Sequence, residues 1–198
     1  MKYLSIDLEA TGLAENDYII EFGMVPFDTE TRTLENDLAR NYFVHCPSFE
    51  NLRPRLDPWV IDHNEGLIKK AHSEGLKMGA FQGELEAYLE SDQVKRYFAN
   101  EKKEKIILFG KSMNAIDLPF MTRDLGWNWM RKQFHHRVLD LSSTANTLID
   151  MGLIPPACSS GSGLMNHLGM GEVAHTALED AKNTAIMYLK IIEKYGSI

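Results

Sequence analysis

The 198-residue chain is predicted to form one α/β domain, in which helices flank a mixed five-stranded sheet. Two observations support this prediction. Three candidate strands joined by short turns open the sequence, and such strands pair antiparallel. Strands and helices then alternate, which favours two further strands in parallel. Hydrophobic residues make up 44% of the chain, enough for a sizeable core, and no internal repeat divides residues 1–198.

The first half of the chain supplies the three antiparallel strands. These are the apolar segments KYLSIDLEA, YIIEFGMVPFD and ARNYFVHC, with TETRT as the polar turn between the second and the third. The segment RPRLDPWVIDHN contains two prolines and is predicted to be a loop. GAFQGELEAYLES has apolar residues at helical spacing from Phe81 to Leu89 and is predicted to be a helix. VKRYFANEKKEK is predicted to be a charged connection.

The second half supplies the alternating elements. IILFG is a short, β-branched segment that is typical of a buried strand, and DLPFMTRDLGW is predicted to be a helix that ends near Gly126. RVLDLSS is predicted to be the last strand, followed by the helix TANTLIDMG. IPPACSSGSG is predicted to be a loop, and TALEDAKNTAIMYLKIIEKYG a long helix.

Charge and cysteine content narrow the class of protein. The net charge of −7 argues against a broad duplex-DNA-binding surface, although a small local groove that holds a few phosphates remains compatible with it. Cys46 and Cys158 lie far apart and match no zinc-finger spacing, which favours a reducing, cytoplasmic setting. The first ten residues reach an acid at Asp7, unlike a signal peptide, and no apolar run approaches the ~20 residues of a membrane span.

Acidic residues from distant parts of the chain are predicted to meet at one edge of the sheet. Side chains alternate along a strand, so Asp7 and Glu9 share one face of the first strand. Two carboxylates this close repel each other unless a positive charge lies between them. Asp117 directly follows the fourth predicted strand, at the start of a helix.

The last helix brings one more acid and a histidine. Thr176 and Glu179 have the spacing of a capping box, so the helix is predicted to begin at Thr176. Asp180 then lies in the first turn, and His175 lies on the adjoining loop. Four carboxylates are hard oxygen ligands that suit Mg²⁺ or Mn²⁺ rather than zinc. Two such ions catalyse in-line phosphoryl displacement, and a nearby histidine accepts the proton of the attacking water.

The segments IDLEATGL, NAIDLPFM and HTALEDA resemble, in this order, the three exonuclease motifs of the DEDDh family. That family includes the proofreading subunit of bacterial DNA polymerase, ribonuclease T and oligoribonuclease. A single D-x-E is common by chance, but three motifs in order form a specific signal. The resemblance implies a ribonuclease H-like fold, with three antiparallel strands and then two parallel ones. It also implies a 3′→5′ exonuclease that releases nucleoside 5′-monophosphates from single-stranded DNA or RNA, or from short oligonucleotides.

The resemblance assigns roles residue by residue. Asp7, Glu9 and Asp180 would bind two Mg²⁺ or Mn²⁺ ions directly, and Asp117 would bind the second ion. His175 would be the general base, and Glu9 also counts among the catalytic residues.

The same resemblance implies substrate contacts. The turn after the first strand would lie against the terminal nucleotide through Ala10, Thr11, Gly12 and Leu13. His63 falls where relatives carry a histidine near the 3′ nucleotide, although here Asn64 and Glu65 precede Gly66. Asn114 would contact the substrate ahead of Asp117. The Gly-Lys-Ser opening of residues 110–112 is similar to the Gly-Asn-Ser of oligoribonuclease.

Two other functions remain open alternatives on the sequence alone. One is a nucleic-acid-binding module of the same fold without catalysis, which would be expected to lack a ligand residue. The other is a carboxylate-based phosphatase for small esters, although DLEAT has Glu where the D-x-D-x-T motif has Asp. DNA or RNA preference, substrate length and pathway stay open, as does the choice between monomer and homodimer.

Several residues have an ordinary structural interpretation. Trp59 and Phe81 are predicted to be core residues rather than base-stacking platforms, and Asp140 is predicted to support the site. The Lys95–Arg96 and Lys102–Lys103–Lys105 clusters are predicted to be a solvated face.

Overall fold

The sheet has six strands, one more than predicted. The structure, a computed structural model, describes residues 1–99, 105–171 and 176–196. The strands are β1 (Lys2–Ala10), β2 (Ile19–Asp28), β3 (Thr33–Leu34), β4 (Arg40–Phe43), β5 (Ile106–Gly110) and β6 (Phe134–Asp140). They lie in the order β3-β2-β1-β5-β6, with β4 also paired to β2. The extra strand is the two-residue β3, which begins inside the predicted TETRT turn.

Strand directions match the prediction. β1 pairs antiparallel with β2, and β2 pairs antiparallel with both β3 and β4. β5 pairs in parallel with β1 on one side and with β6 on the other. The predicted α/β class, with antiparallel strands first and two parallel strands after them, is therefore confirmed.

Nine α-helices and three 3₁₀ helices surround the sheet in the described residues. The α-helices are α1 (Phe49–Leu52), α2 (Pro58–Glu74), α3 (Met78–Glu90), α4 (Asp92–Phe98), α5 (Asp117–Leu125), α6 (Trp127–Gln133), α7 (Leu141–Asp150), α8 (Gly161–His167) and α9 (Ala177–Tyr195). The 3₁₀ helices are Asn36–Leu38, Arg53–Arg55 and Pro156–Ser159. No helix in the described ranges is both long and apolar enough to cross a membrane.

The predicted loop RPRLDPWVIDHN is wrong, because most of it is helical. Asp57 caps α2, since its side chain accepts the backbone N–H of Trp59 at 2.8 Å. Pro58 occupies the first helical position, where its missing N–H costs no hydrogen bond. Asp-Pro therefore starts a helix here instead of breaking one, and α2 buries Val60, Ile68 and Ala71.

Two other segments contain helices that the sequence analysis did not predict. The charged connection begins within α4, which Ser91 caps by accepting the N–H of Val94. The remainder, with Lys102 and Lys103, lies outside the described residues. The predicted loop IPPACSSGSG contains a 3₁₀ helix and the start of α8, which Ser160 caps by accepting the N–H of Gly163. In each case a serine side chain satisfies a backbone donor of the first turn.

The two faces of β1 have different surroundings. Leu4, Ile6 and Leu8 pack into a core with residues of α3, α5 and α6. The opposite face carries Ser5, whose hydroxyl donates to the backbone carbonyl of Ala181 in α9 at 2.7 Å. Because side chains alternate, Asp7 and Glu9 project on the α9 side. The predicted shared face of the two acids is thus the face that α9 covers.

The outcome for the two aromatic core candidates is split. Phe81 is completely buried, as predicted, whereas Trp59 is 59% exposed and the prediction for it is wrong. Trp59 lies on the outer side of α2, where its ring stacks on that of His63 at 4.4 Å between centroids.

Cys46 and Cys158 are both free thiols in buried positions.

Candidate active site

Three of the four predicted acids form a close cluster between β1 and α9. One carboxylate oxygen from each of Asp7, Glu9 and Asp180 lies within 4.8 Å of the others. Asp180 reaches this position because α9 begins where the capping pattern predicts it. Thr176 caps the helix by accepting the N–H of Glu179 at 3.3 Å. This places Asp180 in the first turn, over the end of β1.

Asp117 completes the acidic wall from a third element. It is the first residue of α5, is only 7% exposed, and lines the same cavity of about 380 Å³ as the other three acids. Asp140 fixes the loop that leads to it. Its Oδ2 accepts the N–H of Met113 at 2.8 Å, while its Oδ1 caps α7 through the N–H of Ser143 at 3.1 Å. The predicted supporting role of Asp140 is confirmed.

The carboxyl groups hold protons more tightly than ordinary acids. Burial, and then repulsion from Asp117, Asp180 and Glu9, raises the pKa of Asp7 well above its usual range. Burial, followed by repulsion from Asp180, raises the pKa of Glu9 to about 7. Burial also raises the pKa of Asp117 to about 7, although backbone hydrogen bonds oppose this rise. Full ionisation of the cluster at neutral pH therefore requires added positive charge.

Divalent cations of the hard type fit this donor set. The clustered atoms are carboxylate oxygens, the ligands that Mg²⁺ and Mn²⁺ prefer, and they lie close enough together to share an ion. A cation bound among the acids would offset both the burial and the repulsion that favour their protonated forms. The four acids that the sequence analysis selected, Asp7, Glu9, Asp117 and Asp180, therefore do lie around one cavity.

Several solved structures with this fold are nucleases by name. The nuclease domain of 3′hExo, a DEDDh family member bound to rAMP, superposes with a TM-score of 0.68 at 16% identity, over 98% of this chain and 92% of that chain. Cell-death related nuclease 4 (CRN-4) superposes with a TM-score of 0.69 at 17% identity, over 98% and 64%. E. coli exonuclease I with a 5cy-dT13 oligonucleotide gives 0.67 at 16% identity, over 99% and 41%. The chain has the fold of the DEDDh exonucleases.

No protein-family model matches the chain, and no curated protein matches it in sequence. At 16–17% identity, the likeness establishes the fold alone and leaves the activity to be argued from the site.

The turn after β1 is ordered by its own hydrogen bonds. Buried Thr11 donates its hydroxyl to Asp17 at 3.0 Å and accepts the N–H of Tyr18 at 3.0 Å. A Cβ on Gly12 would lie 2.4 Å from a carboxylate oxygen of Asp17, so a larger residue there would displace the side chain that Thr11 contacts. Leu13 is 79% exposed and presents an apolar side chain to solvent.

The other predicted substrate residues are not among the residues that line the acidic cavity. His63 is in the middle of α2, and Asn114 is exposed on the loop before α5. Neither side chain forms part of the cavity wall as the described residues define it, and neither does the turn of residues 10–13. Their contact with substrate stays a prediction. His175 lies outside the described residues.

Glu21 is a site residue that sequence analysis missed. It is only 1% exposed in β2, directly opposite Glu9 in the strand register. Its Oε1 accepts a hydrogen bond from the Asn41 side chain at 2.6 Å, and its Oε2 accepts the backbone N–H of Ala177 at 3.2 Å. An isolated acid within the apolar run YIIEFGM was the available signal, because a buried carboxylate needs partners.

Lys111 was also missed as a site residue. It directly follows β5 and lines the cavity together with Asp7 and Asp117. Its positive charge acts to lower the pKa of both acids, although burial has the larger and opposite effect. Its position in the Gly-Lys-Ser segment next to Asp117 was the available signal.

Proposed function

We propose that the protein is a metal-dependent 3′→5′ exonuclease that hydrolyses single-stranded nucleic acid and releases nucleoside 5′-monophosphates. The observation that carries the proposal is the convergence of Asp7, Glu9, Asp117 and Asp180 on one cavity. The four acids come from β1, α5 and α9, far apart along the chain. The exonuclease fold of the structural neighbours supports the same reaction class.

Asp7, Glu9 and Asp180 are the residues that would hold the ions, with Asp117 as a ligand of the second. A pair of Mg²⁺ or Mn²⁺ ions supplies an activated water and neutralises charge on the attacking and leaving oxygens. The raised pKa values of Glu9 and Asp117 fit this role. These buried carboxyl groups ionise fully at neutral pH only when a nearby cation stabilises their negative charge.

His175 is the proposed general base. Its assignment comes from the HTALEDA segment, in which it lies five residues before Asp180. A histidine at that place would take the proton of the attacking water, a common role of histidine in general acid–base catalysis.

The turn of residues 10–13 is the proposed platform for the terminal nucleotide. Its backbone is held by Thr11, and the exposed Leu13 offers an apolar surface on which a sugar or base ring could pack. The structural neighbours carry rAMP in one case, a histone mRNA stem-loop in another and a dT13 oligonucleotide in a third. Both RNA and DNA are therefore included among the substrates to be tested.

The decisive experiment is an assay of 3′-labelled single-stranded DNA and RNA oligonucleotides, short and long, with Mn²⁺, Mg²⁺ or EDTA. We expect release of labelled mononucleotide with either metal and none with EDTA. Asp7→Asn, which removes a charge but keeps the side-chain shape, should abolish release while circular dichroism stays unchanged.

Other outcomes would favour another function. Tight binding of the oligonucleotides without any release would indicate a binding module. Turnover of nitrophenyl phosphate without release from oligonucleotides would indicate a phosphatase. Full release by Asp7→Asn would contradict the metal role of that residue.

A further inference from the structure

Lys111 extends along the rim of the acidic cavity. If Gly161, at the start of α8, carried a Cβ, that atom would lie 2.6 Å from Lys111 Nζ, 3.5 Å from Cε and 3.7 Å from Cδ. The outer half of the lysine side chain therefore runs past Gly161. It bridges the gap between the end of β5 and α8, and the absence of a side chain at residue 161 provides the space.

The backbone that directs Lys111 is firmly held. Ser112 has a φ of 56°, a left-handed conformation that is unfavourable for a non-glycine residue. Its hydroxyl forms a hydrogen bond with that of Ser142 at 2.8 Å, and the next residue, Met113, donates its N–H to Asp140. A left-handed residue held from both sides keeps the loop after β5 in one conformation, and this conformation sets the direction of the Lys111 side chain.

In the described residues, the Lys111 ammonium acts on the acids of the cavity through its charge and not through a direct ion pair. Lys111 is exposed, and it forms no ion pair with a carboxylate of the described residues, although it lies in the same cavity as four acids. An ammonium that stands near these acids without pairing with them retains its hydrogen-bond donors for another group. A cation at this place favours an anionic ligand that enters the cavity.

We propose that Lys111 is a substrate-contacting residue, whose ammonium binds a non-bridging oxygen of the phosphate under attack. The inference rests on the proposed exonuclease function and names one more of its contacts. In the reaction, the water oxygen bonds to phosphorus and the bond to the 3′ oxygen of the preceding nucleotide breaks. One proton of the attacking water goes to the general base, and the 3′ oxygen leaves as a hydroxyl after taking a proton from solvent water. The phosphoryl group gains negative charge in this step, and Lys111 stabilises that charge.

The test compares Lys111→Met, which removes the charge at similar length, with Lys111→Arg, which keeps it. The substrates are an oligonucleotide and the p-nitrophenyl ester of thymidine 5′-monophosphate, which has a single phosphodiester. Lys111→Met should lower kcat on both substrates by roughly 10- to 100-fold, the effect of losing one charge-assisted hydrogen bond to phosphate. Lys111→Arg should retain activity to within a few-fold, because its guanidinium also binds phosphate.

Two further variants test the position of the ammonium and control for the change in net charge. Gly161→Ala keeps the lysine but occupies the space its ammonium needs, and it should lower kcat to an intermediate level. Lys95→Met makes the same change in net charge on the exposed side of α4 and should leave kcat unchanged.

Mn²⁺ affinity, measured by calorimetry, separates substrate contact from support of the acids. Removal of a cation from the cavity should leave Mn²⁺ binding to Lys111→Met equal or tighter. Weaker Mn²⁺ binding together with lower kcat would show that the lysine only maintains the site, and would overturn the proposal. Unchanged kcat on both substrates would also overturn it.

Binding of thymidine 5′-monophosphate with Mn²⁺ present keeps the test independent of turnover. Lys111→Met should weaken this binding roughly 10-fold or more. If the wild-type protein hydrolyses neither substrate, the exonuclease proposal fails, and the nucleotide titration still decides the phosphate contact. Equal nucleotide affinity of the wild type and Lys111→Met would contradict the inference alone.

Discussion

The carboxylate of Glu21 in β2 accepts the backbone N–H of Ala177, the first residue of α9, at 3.2 Å. Asp180 lies three residues further along the same helix, and Glu9 lies directly opposite Glu21 in the sheet. One buried side chain thus joins the strand pair that carries Glu9 to the helix that carries Asp180. We therefore expect this hydrogen bond to help set the distance between two proposed metal ligands.

Glu21→Ala is expected to weaken the metal site as well as the fold. It removes the partner of a buried backbone N–H and of the Asn41 amide, which costs about 1–3 kcal/mol of unfolding free energy for each unsatisfied group. Because the first turn of α9 loses its attachment, Mn²⁺ affinity should fall by roughly 10-fold or more. Urea unfolding measures the first effect and calorimetry the second.

Glu21→Gln and Val94→Ala serve as controls for this prediction. Gln keeps an acceptor for Ala177 and, if the Asn41 amide turns over, both hydrogen bonds, so Mn²⁺ affinity should be largely retained. Val94→Ala creates a cavity in the buried part of α4 and should lower stability without affecting Mn²⁺ binding. Equal Mn²⁺ affinity of Glu21→Ala and wild type would exclude a positioning role.

The stability of the metal-free protein is expected to fall as the pH rises towards 7. Glu9 has a pKa of about 7 in the folded protein and an ordinary value of 4.5. Since the folded state holds this proton more tightly, the stability contributed by protonated Glu9 is complete below pH 4.5. It is lost as the pH rises through 7, and amounts to roughly 3 kcal/mol.

Urea unfolding in EDTA at several pH values between 4 and 8 measures this effect. Glu9→Gln cannot ionise, so its stability should decline less over the same range, and the difference between the two proteins isolates the contribution of Glu9. Mn²⁺ should raise the Tm of the wild type strongly at pH 8 and little at pH 5. Parallel pH curves for wild type and Glu9→Gln would contradict the raised pKa.

Loss of His175 is expected to alter both rate and pH profile. His175→Ala should lower kcat by roughly 10²–10⁴, the usual range for loss of a general base. The rise of kcat/KM with pH that a histidine produces on deprotonation should also disappear. His136→Ala, an exposed histidine on β6, is the matched control and should leave the profile unchanged. A variant of His175 with the wild-type profile would reject the base assignment.

Local rules predicted the parts of the site that depend on neighbouring residues. Side-chain alternation put Asp7 and Glu9 on one face, and the capping pattern at Thr176 placed Asp180 in the first turn of α9. Strand alternation and helix capping each depend on residues only two to four positions apart. A short segment is therefore enough to predict them. The antiparallel pairing of the first strands followed similarly from the short turns between them.

Long-range contacts were beyond such rules. The role of Glu21 depends on the register between β1 and β2 and on an N–H more than 150 residues away. The direction of Lys111 depends on a glycine in α8. Trp59 was wrongly assigned to the core because α2 was taken for a loop, so the outward side of that helix was not recognised.

Gly23→Ala should separate α9 from the sheet. A Cβ on Gly23 would lie 2.2 Å from the carbonyl carbon of Ala177 and 2.2 Å from the backbone nitrogen of Leu178. Backbone atoms of a helix cannot move independently of one another. The whole first turn of α9 must therefore move away from β2, and Asp180 moves with it. We expect a loss of about 1–3 kcal/mol of unfolding free energy, as for overpacking, and a marked fall in Mn²⁺ affinity.

Gly66→Ala is the matched control, because a Cβ there meets nothing within 4 Å. It should stabilise α2 by about 0.5–1 kcal/mol and leave Mn²⁺ binding unchanged. Wild-type metal affinity in Gly23→Ala would show that the contact between β2 and α9 does not position Asp180.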